Sequence, residues 1–341
     1  MVLLTINLKK IIQINMKGRY LMSVSGGRTS MMLSKIIIDR YQLKPQVYYY
    51  PRSGVNYSYT VYENSDKSIE VVFGFGNTTR EREETLIAIN NMNVFWGIKV
   101  MWVEAKVDFR PNKGTKHTFV NFKTASRDGR IFEDVIKKYG IPNNVFIHCT
   151  RELKNAPLRS MMQDIGWGDW KTDYKTIIGY RADEPKRANL VKAEKLNQWY
   201  PLWEWGIKKA DVAYFWNRQP FDLGLVDADG NCKKCYKKAD LKVIYQVKTD
   251  PKDEWISEMQ RKYSWFTPDS RSEQSQPPYY MFRGNRSLED VIEQYPELYD
   301  KTDEEILSML NDKSLSEDGA NYDLLEQESC AESCEAFGDE D

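Results

Sequence analysis

The sequence predicts an α/β fold, a mostly parallel sheet covered by helices, followed by a helical C-terminal region. Two observations point there. In the N-terminal half, short apolar runs alternate with segments of helical periodicity, separated by turn residues. After residue 200 the apolar spacing becomes helical throughout.

Residues 19–25 (RYLMSVS) form an apolar run of strand length, closed by Gly26 and Gly27, and residues 31–40 (MMLSKIIIDR) continue as a helix. Residues 45–65 are a Tyr-rich insertion that includes Tyr48, Tyr49, Tyr50, Tyr57, Tyr59 and Tyr62. Within it Val55, Tyr57, Tyr59 and Val61 alternate with polar residues, as in an edge strand or hairpin. The stretch reads either as an aromatic platform for stacking bases or as a half-buried insertion. The second is preferred, because aromatics fit pleated strands well. Residues 70–76 (EVVFGFG) read as a strand; Leu86, Ile89, Met92 and Trp96 share one helix face; residues 98–104 (IKVMWVE) read as a strand. A helix over 128–140 (DGRIFEDVIKKYG) and a strand over 175–180 (KTIIGY) continue the alternation, which favours parallel pairing. Further helices are expected over 208–218, 253–266, 287–295 and 302–310, the last two opening on the capping boxes Ser287/Asp290 and Thr302/Glu305. The Pro-, Ser- and Gln-rich residues 267–286 read as a loop.

The 341 residues are 41% hydrophobic, enough to bury one large core or two modest ones. No apolar run is long enough to cross a bilayer, so no membrane partner is expected. The apolar start is broken by Lys9 and Lys10 and lacks a cleavage site, and Met16 looks the more natural beginning, so residues 1–18 read as an extension. The net charge of −1 hides an asymmetry: residues 311–341 hold eleven acids and one Lys, leaving 48 basic against 39 acidic groups elsewhere. A basic body suits anionic ligands, and the acidic end reads as a disordered tail. Five widely spaced cysteines without a secretion signal argue against a disulfide scaffold and for a reducing cytoplasm. With only His117 and His148, histidine-based catalysis has few places to go.

The sharpest local signal is Ser25-Gly26-Gly27-Arg28-Thr29-Ser30, directly after a strand and before a helix. Glycines let successive backbone N–H groups converge, and the helix adds its N-terminal dipole, so the turn suits a phosphate. It lacks the GK[ST] ending of ordinary P-loops, which disfavours a kinase-like or GTPase-like reading.

SGGRTS resembles the SGGxxS signature of the PP-loop (adenine nucleotide α-hydrolase) superfamily, a HUP-like Rossmannoid group. Further stretches resemble its phosphoadenosine phosphosulfate (PAPS) reductase-like branch, as found in phages and bacteria. They are residues 76–86 (GNTTREREETL), 149–154 (CTRELK), 179–187 (GYRADEPKR), 201–223 and 230–238 (GNCKKCYKK). The resemblance implies a nucleotide-binding domain over 19–200 and a helical region carrying the CxxC over 201–310. It implies that Ser25, Gly26, Gly27, Arg28, Thr29 and Ser30 hold the phosphates of ATP or PAPS. Asn77 and Thr78 would line the adenosine side, with Lys154 and Arg187 as secondary anion contacts. Arg181 and Asp183 would be catalytic, the arginine pairing with phosphate or sulfate and the aspartate holding Mg²⁺ with Glu184.

Cys232 and Cys235 form a C-x-x-C flanked by Lys233, Lys234, Lys237 and Lys238, which favour thiolates. The resemblance adds Cys149, and three thiolates make a [4Fe–4S] or Zn²⁺ site plausible, His148 being a fourth ligand in the zinc version. Cys330 and Cys334 lie in the acidic tail without the Gly and His that accompany a reductase nucleophile. The expected function is therefore ATP-dependent adenylation of a substrate for sulfur transfer, with RNA or DNA a candidate acceptor and a homodimer allowed. The alternatives are a PAPS reductase or sulfotransferase acting on a small molecule, and a nucleotide-binding regulator without turnover.

Overall fold

The structure is a computed structural model, and it describes residues 16–49, 57–185, 187–268, 271 and 276–311. The expected tail beyond Asn311, with Cys330 and Cys334, lies outside the described residues, as do residues 1–15 and, in the Tyr-rich stretch, Tyr50 and Val55.

Eight strands among the described residues form one sheet: β1 (Gly18–Ser23), β2 (Lys44–Tyr49), β3 (Ser58–Glu63), β4 (Ile69–Asn77), β5 (Met101–Lys106), β6 (Lys116–Val120), β7 (Lys175–Ile177) and β8 (Gln198–Trp199). The centre is parallel, in the order β5-β4-β1-β7-β8. Within the Tyr-rich stretch β2 and β3 pair antiparallel, with Tyr48 opposite Tyr59 and the two rings stacked at 5.6 Å. One edge of β4 is shared: its start pairs antiparallel with β3 (Tyr62 opposite Val71), its end parallel with β5 (Gly74 opposite Met101). β6 returns antiparallel on β5, so the sheet is mixed.

The helices are α1 (Arg28–Tyr41), α2 (Glu83–Trp96), α3 (Arg130–Tyr139), α4 (His148–Thr150), α5 (Ala156–Asp164), α6 (Leu190–Lys195), α7 (Pro201–Glu204), α8 (Lys209–Trp216), α9 (Asp240–Thr249), α10 (Trp255–Tyr263), α11 (Leu288–Glu293), α12 (Pro296–Tyr299) and α13 (Asp303–Asn311). A π-helical turn, Arg151–Asn155, joins α4 to α5. Alternation along the strands sends neighbours to opposite faces. Met22 and Phe73 pack with Met32, Leu86, Ile89, Phe215 and Trp216, whereas Leu21 and Val72 pack with Leu158, Met161 and Met162. Leu202, Trp205, Leu223 and Leu225 belong to the first of these cores. A separate core gathers Phe132, Val135, Leu241, Ile244, Met259, Val291 and Ile306 from α3 and the C-terminal helices. Both expected capping boxes are present: Ser287 accepts from the Asp290 amide at 3.0 Å and Thr302 from the Glu305 amide at 3.2 Å.

From β1 the chain builds β4 and β5 on one side, then returns to lay β7 and β8 on the other. Strand order therefore reverses between β1 and β7. The crevice beyond the carboxyl ends of strands at such a reversal is where open α/β sheets take ligands.

Candidate functional site

The Ser25–Ser30 turn leaves β1 at that reversal. Gly26 holds φ +81°, and a Cβ there would lie 2.4 Å from Thr85 Cγ2, so the close approach of the turn to α2 requires glycine. Ser30 Oγ accepts from the Ser25 amide at 3.1 Å and lies 2.9 Å from Ser25 Oγ, locking the turn internally. Gly27 is the N-cap of α1 and supplies no side-chain cap. The second and third helical amides, those of Thr29 and Ser30, thus face the crevice end without a capping side chain, which suits an anion.

Arg28 points elsewhere. Its Nε and a terminal nitrogen reach the two Asp222 oxygens at 2.7 and 2.5 Å, and its other terminal nitrogen donates to the Leu225 carbonyl at 3.1 Å. This guanidinium holds the Asp222 carboxyl below its ordinary value. Gly27, Arg28, Leu225, Val226, Asp227 and Gly230 line a small open notch beside the turn.

The segment after β7 delivers Arg181 to the same place. At Gly179 that segment lies against α1, within van der Waals reach of Ser30. Arg181 is buried, donates from Nε to Asp183 at 2.9 Å, and reaches Thr29 Oγ1 at 3.4 Å. Asp183 also accepts from the Lys209 amide at 3.0 Å. Burial raises the Asp183 carboxyl, but the Lys209 amide and the Arg181 guanidinium outweigh it and hold it below the ordinary value. Glu184 accepts from the Arg181 amide at 3.0 Å and from Arg187 at 2.6 Å. Arg187 lies over the Tyr180 ring at 4.6 Å. Both carboxylates expected at Mg²⁺ are the right type for it, and both are engaged with arginine here.

At the end of β4 the residues turn inward. Asn77 is fully enclosed, donating to Glu104 at 2.6 Å and the Ser126 carbonyl at 2.9 Å while accepting from the Thr79 amide at 3.1 Å. It braces the turn beneath the crevice. Thr78 donates to Glu81 Oε1 at 3.1 Å, and Lys154 pairs with the same oxygen at 3.5 Å. Cys232 donates to Glu81 Oε2 at 3.1 Å, and residues 81 and 232 form an antiparallel bridge. The two sequence motifs 76–86 and 230–238 are thus one joined structure.

Cys149 lies in the short α4, with its sulfur 3.1 Å from the Tyr236 hydroxyl. His148 presents its ring nitrogens to guanidinium groups of Arg151 at 3.2 Å and Arg271 at 3.5 Å. Among the described residues no three His, Cys, Asp or Glu side chains gather at metal-binding spacing. The donor set has the softness for iron or zinc, with Cys149 set against the Tyr236 hydroxyl and Cys232 donating to Glu81.

Sequence reasoning missed Glu81, Asp222 and Asn231. Glu81 and Asn231 stand inside motifs that were singled out for their other letters. Asp222 carries no local signal, because its role arises only from its distant partner Arg28.

No family model matches the chain, and no solved structure matches it. The chain is similar to the uncharacterized nin region protein ORF290 of Escherichia phage lambda, 29% identical over 279 residues that span 79% of this chain and 86% of that protein. This likeness supports a phage relationship. No helix among the described residues is long and apolar enough to cross a membrane.

Proposed function

We propose that this chain is a PP-loop-type, ATP-dependent enzyme that activates a substrate by adenylation for sulfur transfer. The observation that carries this reading is the meeting of Arg181 with Thr29 at the point where strand order reverses, 3.4 Å apart. An uncapped helix N-terminus and a buried forked guanidinium converge there, and both are complementary to a polyphosphate. In the proposed reaction a substrate oxygen attacks the α-phosphorus and pyrophosphate leaves with the electron pair of the broken bond. A sulfur nucleophile then displaces AMP from the adenylate. Backbone amides of the turn hold the phosphates in place, and Arg181 offsets the charge that builds on the leaving pyrophosphate. Mg²⁺, supplied by solution, would neutralise pyrophosphate charge. Asp183 and Glu184 are its candidate ligands once released from Arg181 and Arg187.

The engagement of both carboxylates favours one other reading, a nucleotide-binding regulator without turnover. Incubation with ATP and Mg²⁺, alone and with RNA or DNA, separates the two. Pyrophosphate release supports the enzyme; binding without release supports the regulator. Consumption of PAPS in place of ATP would indicate a reductase or sulfotransferase.

A further inference from the structure

Asn231 belongs to the segment that closes over the phosphate turn, one residue before Cys232, and it is buried. Its Nδ2 donates to the Ser25 carbonyl at 2.7 Å. Its own carbonyl accepts from the Arg82 amide at 2.7 Å and from the Thr85 hydroxyl at 3.4 Å. The contact with Ser25 fixes which way the side-chain amide faces, since turning it over would set Oδ1 against the Ser25 carbonyl, acceptor to acceptor. The remaining end, Oδ1, is buried and has no hydrogen-bond partner. A buried acceptor left unpaired is unfavourable, and such an atom beside a ligand-binding turn is an acceptor waiting for a donor.

We propose that Asn231 is a specificity-determining residue of the nucleotide site, its Oδ1 accepting a hydrogen bond from a ribose hydroxyl of the bound adenine nucleotide. The inference rests on the nucleotide reading above. Ionised phosphates offer no donor, so the donors of ATP are the ribose hydroxyls and the adenine amine. Asn231 grips Ser25, the first residue of the phosphate turn. The ribose is joined directly to the α-phosphate, whereas the amine lies at the far end of the base. The ribose hydroxyls are therefore the donors in reach.

The test is equilibrium binding of ATP, 2′-deoxy-ATP and 3′-deoxy-ATP to the full chain and to Asn231→Ala and Asn231→Ser. The wild-type chain should bind ATP about five- to tenfold more tightly than one of the deoxy analogues, the worth of one hydrogen bond. In Asn231→Ala that preference should vanish, because the two nucleotides then differ in nothing the site reads. A bracing role alone would weaken all three ligands together and leave their ratios unchanged. Equal affinity of the wild-type chain for all three overturns the inference and leaves the nucleotide reading standing. So does a preference that survives in both variants. If the wild-type chain binds none of the three, the nucleotide reading falls and the inference falls with it. Equal affinity of the wild-type chain for ATP and both deoxy analogues overturns the inference even if neither variant folds.

Discussion

Arg181 and Thr29, 152 positions apart in sequence, meet at 3.4 Å where the segment after β7 crosses the start of α1. The arginine's forked guanidinium can bridge that helix end and a bound phosphate, which a lysine cannot reproduce. Arg181→Lys should therefore lower ATP affinity by about tenfold, equivalent to about 1.4 kcal/mol. Arg28→Ala, by contrast, removes an ion pair that is partly exposed on both sides and should change affinity less than threefold, with a stability loss of at most about 1 kcal/mol. Calorimetric titration of both variants checks the contrast. Equal losses would place Arg28 at the phosphates as well.

Gly26→Ala should cost about 1–3 kcal/mol of stability, through the left-handed backbone and the clash with Thr85. Adding Thr85→Ser removes the nearest methyl and should recover part of the loss, leaving the backbone strain and the tighter contact with Ile89. Denaturant unfolding of the single and double variants measures this.

How much was legible follows from which forces act locally. The strands β1, β4 and β5, the helices α1 and α2, and both C-terminal capping boxes are written in nearby residues, so their patterns survive in the sequence. The Ser25–Ser30 turn was legible for the same reason, as a strand, two glycines and a helix in succession. Helix α9 was not, because Leu241, Val243, Ile244 and Val247 crowd together without a polar face, all buried in the C-terminal core. The short β8 carries too few residues for any period. Asn231 and Glu81 were invisible because their meaning lies in partners, Ser25 and Lys154, that only the fold brings near.

Glu81 and Lys154 form a buried ion pair, with side chains 0% and 4% exposed. Glu81→Ala removes the buried carboxylate that Lys154, Thr78 and Cys232 share and should destabilise the protein by about 3–5 kcal/mol. Replacing both, as Glu81→Leu with Lys154→Met, should recover most of that loss. Urea midpoints of the single and double variants provide the check, and additive losses would contradict the pairing.

Burial, helped by the neighbouring Lys116 charge, pushes the His117 imidazole down from 6.5 to about 4. Ser160 Oγ faces its Nδ1 at 2.9 Å, Asp164 lies 3.7 Å from its Nε2, and the Phe119 ring packs against it. The unfolded chain takes up a proton near pH 6.5, while the folded chain resists until about pH 4. The stability linked to this group is thus complete above pH 6.5 and is lost as pH falls from 6.5 to 4, at no more than about 1.4 kcal/mol per pH unit. Unfolding midpoints across that window should fall less steeply in His117→Gln than in the wild-type chain.

The most direct measurement is a crystal structure of the chain bound to a non-hydrolysable ATP analogue. The account predicts phosphate oxygens within hydrogen-bond distance of the Thr29 and Ser30 amides and of the Arg181 guanidinium. A nucleotide seated away from that helix end, or those amides bonded to protein atoms with the nucleotide present, would contradict it.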